Sequence, residues 1–157
     1  MEWCAKKGGL EPVSLPELIY VKSDIVYTFG LEYMQAFQLR HNARSTRVYC
    51  KECFSVIGVD HKSYRDNVFM FFKDHCVTTC DLSIKTSAAI YLKELKDTNQ
   101  ISKLKNIPMI MSFSKKETQQ FRSIKAVSGS FNEIKRPRYG QTLKSVIKSI
   151  SVMEILN

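Results

Sequence analysis

The chain has 157 residues, a formal net charge of +9 and 44% hydrophobic residues. It is long enough to bury a core of its own, and no stretch approaches the roughly 20 apolar residues of a membrane-spanning helix. Residues 1–114 carry 15 basic and 12 acidic side chains, whereas residues 115–157 carry nine and three. The sequence therefore predicts a globular domain over 1–114 and a basic tail over 115–157.

The first residues carry no targeting signal. Glu2, Trp3 and Cys4 open the chain, and no apolar run follows a basic start. Without that pattern of a secretory signal, the sequence predicts an intracellular protein, cytoplasmic or nuclear, whose thiols stay reduced.

Short runs rich in β-branched and aromatic residues follow, separated by Gly, Asp, Asn and Ser. They are residues 18–21, 25–29, 34–39, 46–49, 54–59, 68–72 and 88–92. Runs of this composition and spacing are typical of antiparallel strands joined by turns. The aromatic run at 69–72 is expected to be a core strand rather than a platform for stacking nucleic-acid bases. The sequence predicts a mostly β fold.

A Cys-x-x-Cys pair, Cys50 and Cys53, directly follows the fourth of these runs. Two thiolates at this spacing can face one tetrahedral Zn²⁺ at about 2.3 Å, as in structural zinc sites. The sequence therefore predicts that Cys50 and Cys53 bind zinc. A disulfide is the alternative, and a reducing compartment argues against it.

Two further ligands are needed to complete a tetrahedral site, and the candidates are few. Cys76 and Cys80, with His75 as a spare ligand, would give a loose zinc ribbon, although the usual second half of a ribbon again has a two-residue spacing. The alternative for Cys76 and Cys80 is that they are buried free thiols. Cys4 is the remaining cysteine.

The last segment has a helical pattern. Apolar residues recur there at spacings of three and four from Gln141 to Leu156. They are Leu143, Val146, Ile147, Ile150 and Met153, with Lys144 and Lys148 between them. This pattern predicts an amphipathic helix whose apolar side needs a partner surface. The tail could instead attract an acidic protein or a nucleic acid.

Other catalytic motifs are missing. The sequence has no glycine-rich phosphate loop, no Gly-x-Ser-x-Gly turn and no His-Glu-x-x-His helix. Asp60-His61 and Asp74-His75 are adjacent pairs, and neighbouring residues on a strand point to opposite faces. These histidines are therefore expected to be surface residues rather than general bases.

The order of several motifs resembles a known family. They are Cys4–Gly9, Arg47–Ser55, Val68–Phe72, Ala89–Tyr91 and Ile107-Pro108. In this order and spacing they resemble the glutathione-dependent formaldehyde-activating enzymes, a family that includes centromere protein V, over about residues 2–114. The resemblance implies an Mss4-like fold of stacked antiparallel sheets and bound zinc. It also implies carbon–sulfur lyase chemistry, in which formaldehyde condenses with the thiol of glutathione to give S-(hydroxymethyl)glutathione.

The resemblance assigns roles to three cysteines. Cys50 and Cys53 match a later pair that holds a structural zinc together with an early Cys-x-Cys. Cys4 matches the last cysteine of a Cys-x-Cys-x-x-Cys trio that holds the catalytic zinc. The earlier cysteines are missing, so we expect an N-terminally shortened sheet and an incomplete catalytic site. Phe54 stands where the family usually has a glycine, which puts the turn in question, and Cys76 and Cys80 have no counterpart.

Three functions remain open from the sequence. The first is a zinc-binding, carbon–sulfur lyase-type domain, active or not, with a glutathione adduct as substrate. The second is a non-enzymatic relative that binds a protein, cytoskeletal or nucleic-acid partner through its basic tail. The third is an unrelated small β domain with a ribbon-type zinc site.

Overall fold

The protein is described here by a computed structural model that covers residues 2–22, 29–64, 67–75, 77–79, 81, 83–95, 97–131, 143–150 and 153–155. One sheet forms its centre, in the strand order β1-β5-β4-β3-β2-β6. The strands are β1 (Leu18–Val21), β2 (Met34–Gln38), β3 (Ser45–Cys50), β4 (Val56–His61), β5 (Phe69–Phe72) and β6 (Met153–Ile155). The first five pair antiparallel, and β6 pairs parallel to β2. The prediction of a mostly β fold is confirmed, whereas Mss4-like stacking of sheets stays a prediction.

The strand predictions succeeded for five of the seven runs. The run at 25–29 lies outside the described residues except for Phe29. The run at 88–92 was wrong: it contributes only a single bridge between Ala89 and Met109 and then enters a 3-10 helix at Leu92–Glu94. The reason is Tyr91, which has a φ of 58°. A left-handed residue cannot continue an extended strand.

A β-bulge in β4, near the centre of the sheet, decides which of its side chains lie on each face of the sheet. Tyr49 pairs with Val56 but Val48 pairs with Gly58, so Ile57 is an extra residue in β4. A bulge of this kind re-aims a side chain. Ile57 consequently joins Val48 on one face, while Val56 stays with Tyr49 on the other.

The face that carries Tyr49, which we call the N-terminal face, is covered by the start of the chain. Helix α1 (Glu2–Ala5) places Trp3 5.4 Å from the rings of both Phe37 and Tyr49. Cys4, the next residue, is buried in the same cluster. The first turn of the chain is therefore part of the core.

The opposite face, which we call the C-terminal face, carries Val48, Ile57 and Phe69 and is covered by helix α4 (Leu143–Ser149). Leu143 is 5% exposed and belongs to the same buried cluster. The predicted amphipathic helix exists, but it ends at Ser149 and Met153 begins β6 instead. Backbone pairing with the edge of β2 replaces the expected last helical turns. Residues 141–142, 151–152 and 156 of the predicted helix lie outside the described residues.

Helix α2 (Lys115–Ser123) begins next to the predicted boundary at 114. Ser114 and Glu117 form a reciprocal capping box there, and hydrogen bonds from Ser114 and the Met111 N–H lower the pKa of Glu117 to about 2. Phe121 of α2 and Val127 of helix α3 (Lys125–Ser128) share a buried cluster with Ile110. The residues on both sides of position 114 therefore pack together.

Candidate metal centre

The Cys-x-x-Cys pair lies in the hairpin turn between β3 and β4. The Phe54 N–H donates to the Cys50 carbonyl at 2.8 Å, and the Cys50 N–H donates to the Ser55 carbonyl at 3.0 Å. These two bonds close the turn on itself. We call residues 50–55 the knuckle.

The knuckle keeps a left-handed residue after its second cysteine, at Phe54 with a φ of 55°. Glycine takes this conformation without strain, and a bulky residue rarely does. Phe54 is half-buried against the N-terminal face, and the Lys7 Nζ lies 5.7 Å from its ring. The turn that the missing glycine put in question is therefore present, and the packing of Phe54 helps to offset its backbone strain.

Gly9 shows how closely the start of the chain approaches the knuckle. A Cβ at this position would lie 2.2 Å from the Phe54 carbonyl oxygen and 3.0 Å from that of Cys4. Only glycine permits this approach of two backbones. The Gly9 N–H also donates to the Cys4 carbonyl at 2.9 Å, which closes the turn after α1.

The two thiols of the knuckle differ in exposure. Cys53 is exposed, whereas Cys50 is half-buried. Hydrogen bonds from the Ser55 side chain and backbone lower the pKa of the Cys53 thiol, and one from Cys50 lowers it further. Stabilising the thiolate favours metal ligation, because a thiol must lose its proton to bind zinc.

Cys4 belongs to a different place. It is buried on the N-terminal face, whereas Cys50 packs on the C-terminal face. Its neighbour is the half-buried Arg47: burial lowers the pKa of this guanidinium, and the charge of Cys4 acts in the opposite direction. The structure therefore brings Cys50 and Cys53 together and does not bring Cys4 to them.

His75 lies at the same end of the sheet as the knuckle. Its Nδ1 is 2.6 Å from the Val56 carbonyl oxygen, and its ring stacks on Phe72 at 5.3 Å. Cys76 and Cys80 lie outside the described residues. Within the part of the chain that the structure does describe, no three His, Cys, Asp or Glu side chains are close enough to hold one ion.

A pocket of about 250 Å³ opens beside the knuckle. Its walls are Leu31, Glu32, Met34, Gln35, Lys51, Ser149 and Ile150. The pocket could not be predicted from the sequence, because Ser149 and Ile150 lie about a hundred residues along the chain from the other lining residues. The only signal that pointed to it was the apolar pattern of the last segment.

His61 is half-buried and accepts a hydrogen bond from the backbone. Its Nδ1 accepts a hydrogen bond from the Ser63 N–H at 3.1 Å, and burial, followed by the charge of Arg44, lowers its pKa. A histidine whose pKa is depressed by folding contributes stability above its unfolded pKa, and loses it as the pH falls through the folded value.

We therefore expect the free energy of unfolding to fall between about pH 7 and 5. The measurement is urea unfolding across this range for the wild type and for His61→Asn, whose Oδ1 takes the place of Nδ1 and can still accept from the Ser63 N–H. Asparagine does not titrate, so the variant should show a shallower decline. Identical pH profiles of the two chains would contradict the assignment.

The fold and the knuckle define an antiparallel β-sheet protein with a paired-thiol turn. Compared with protein-family models, with curated proteins and with solved structures, the chain matches none of them. None of the helices among the described residues is long and apolar enough to cross a membrane.

Proposed function

We propose that the chain is a zinc-binding protein whose ion is held at the knuckle by Cys50 and Cys53. The observation that carries the proposal is the arrangement of the two thiols. Both lie in one turn that closes through backbone bonds, and hydrogen bonds from the Ser55 side chain and backbone lower the pKa of the Cys53 thiol. Donor groups that are held ready in this way lose little freedom when a metal binds.

The residues fit two corners of a tetrahedral site. The described residues supply no third ligand within reach, so the remaining corners fall to groups such as Cys76 and Cys80, which lie outside them, or to a second chain. When bound, the ion would cross-link the β3–β4 hairpin and contribute to folding. Of the predicted extra ligands, His75 is the one that lies among the described residues, and its Nδ1 contacts the Val56 carbonyl at the same end of the sheet.

The lyase chemistry is the further part of the proposal and rests on the resemblance. In the family that the chain resembles, the zinc site matched by Cys4 is separate from the one matched by Cys50 and Cys53. Cys4 and Cys50 pack in different clusters on opposite faces of the sheet, which supports this division. Cys4 would supply one ligand of the second site, with the charge of Arg47 beside it.

Removing either knuckle thiol should weaken zinc binding. We expect Cys50→Ser and Cys53→Ser each to lower zinc affinity by at least about tenfold, because a hydroxyl replaces a thiolate ligand. Elemental analysis and competition with a chromophoric chelator measure the effect. Cys4→Ser is the matched control and should keep the zinc of the knuckle. Equal zinc in the wild type and Cys50→Ser would overturn the proposal.

A second experiment separates lyase from interaction protein. If the lyase part holds, the zinc-loaded chain should accelerate formation of S-(hydroxymethyl)glutathione from formaldehyde and glutathione, followed by NMR, and Cys4→Ser should remove the acceleration while keeping the knuckle zinc. The knuckle variants cannot serve this purpose, because they also remove the structural ion. A chain that binds zinc at the knuckle but accelerates nothing would exclude the lyase part.

The alternative function is binding of an acidic protein or a nucleic acid, and the exposed basic residues of α2 and α3 favour it. They are Lys115, Lys116, Arg122 and Lys125. The apolar side of α4 is already packed against the sheet, so a partner would meet charge rather than an apolar helix face. Binding through such charges would weaken steeply as salt is added.

A further inference from the structure

The two thiols of the knuckle are three residues apart but differ in their surroundings. Cys53 projects into solvent, whereas Cys50 packs against the cluster of Val48, Ile57, Phe69 and Leu143. Ile147 and Ile150 pack against the same cluster. Cys50 and the C-terminal segment therefore pack against one and the same cluster.

The pocket beside the knuckle gives a second, independent sign of this proximity. Met34 is the cross-strand partner of Cys50, and Met34 lines the pocket together with Ser149 and Ile150. The end of α4 consequently stands next to the strand pair that carries Cys50. Reagents that approach Cys50 from the C-terminal face meet this end of the helix first.

The segment lies at the edge and on one face of the sheet, away from its central strands. Leu143 and Val146 are buried, and β6 pairs with β2 over three residues at the edge of the sheet. A helix of seven residues is not stable alone, so α4 exists only while it is packed. Elements of this kind open at a lower free energy than the central strands.

We propose that α4 and β6 form a displaceable cover that controls access of metal and thiol reagents to Cys50. With the cover in place, only Cys53 is open to attack or exchange. With the cover displaced, both sulfurs become available, and the apolar C-terminal face is exposed beside them. The cover would regulate the zinc site proposed above, so the proposal rests on that function. Its test uses the metal-free chain.

The test is pulse alkylation of the full, reduced, metal-free chain with iodoacetamide, in which peptide mass spectrometry reads each cysteine separately. In the wild type we expect Cys53 to react at least about tenfold faster than Cys50. Val146→Asp places a charge at a position that is 2% exposed and should raise the rate at Cys50 by at least about tenfold. Ser145→Asp, at an exposed position of the same helix, is the matched control and should leave both rates unchanged.

Cys4 reports whether the domain as a whole has opened. It is buried on the opposite face under Trp3, so a displaced cover should leave its rate low. Parallel acceleration of Cys4 and Cys50 in Val146→Asp would overturn the proposal, because the segment would then be part of the cooperative core. Equal rates at Cys50 and Cys53 in the wild type, or no change at Cys50 in the variant, would overturn it as well. A chain that never binds zinc would remove the proposed function and leave these rates readable.

Discussion

Gly58→Ala is expected to destabilise the protein by about 3 kcal/mol or more. Gly58 lies in β4, the central strand of the antiparallel sheet, and pairs with Val48 and Phe71. A Cβ at this position would lie 2.4 Å from the Met70 carbonyl oxygen and 2.5 Å from the Phe69 ring. The carbonyl is fixed by the sheet, and Phe69 is fully buried, so neither neighbour can move cheaply.

The matched control is Gly129→Ala. No atom lies within 4 Å of a Cβ built on Gly129, and its φ of −62° suits alanine. This substitution should be neutral or stabilise the fold by up to about 1 kcal/mol, because alanine restricts the unfolded chain. Urea unfolding followed by circular dichroism measures both variants. A Gly58→Ala variant as stable as Gly129→Ala would show that β4 does not pack against β5 as described.

The antiparallel strands could be predicted because their physics is local. Four of the five have β-branched or aromatic residues at both odd and even positions, which is typical of a sheet covered on both faces. The fifth, β2, has only Phe37 of this kind. The run at 88–92 has the same composition, and composition alone cannot separate it from the others. What decides its structure is the left-handed Tyr91, whose ring lies 4.9 Å from that of Phe113.

The candidate site likewise has one part that local sequence encodes and one part that depends on the folded chain. The spacing of Cys50 and Cys53 is a local feature, and the structure places both residues in the closed turn between β3 and β4. The faces on which Cys4 and Cys50 lie depend on strand register, and the bulge at Ile57 sets the register of β4 against β3. No local pattern encodes such a bulge, and none encodes the arrival of Ile150 beside Met34.

The end of the chain shows where a periodic pattern stops being informative. Leu143 and Val146 follow the helical period and are buried by it. Met153 fits the same period but starts a strand, because the edge of β2 offers unpaired backbone groups that a further helical turn would leave unused. The competition is between a local helix and a distant strand edge, and only the folded chain can resolve it.

Phe37→Ala is expected to lower the free energy of unfolding by about 3–5 kcal/mol. The Phe37 side chain is 0% exposed in β2, and its ring lies 5.4 Å from Trp3 and 5.6 Å from Tyr49. Truncation removes the aromatic contacts that join α1 to the sheet and leaves a cavity next to Cys4. Because folded domains are stable by only about 5–15 kcal/mol, the loss should be visible as a large drop in the unfolding midpoint.

Phe29→Ala is the same chemical change at a position that is 95% exposed, and it should alter the free energy of unfolding by less than about 0.5 kcal/mol. Because both variants exchange Phe for Ala, the difference between their free energies of unfolding reports the effect of burial. Alkylation of Cys4 provides a second measurement, since α1 should loosen in Phe37→Ala and expose this thiol, whereas Phe29→Ala should leave it protected. If both variants unfold at the wild-type midpoint and keep Cys4 protected, the packing of α1 against the N-terminal face is wrong.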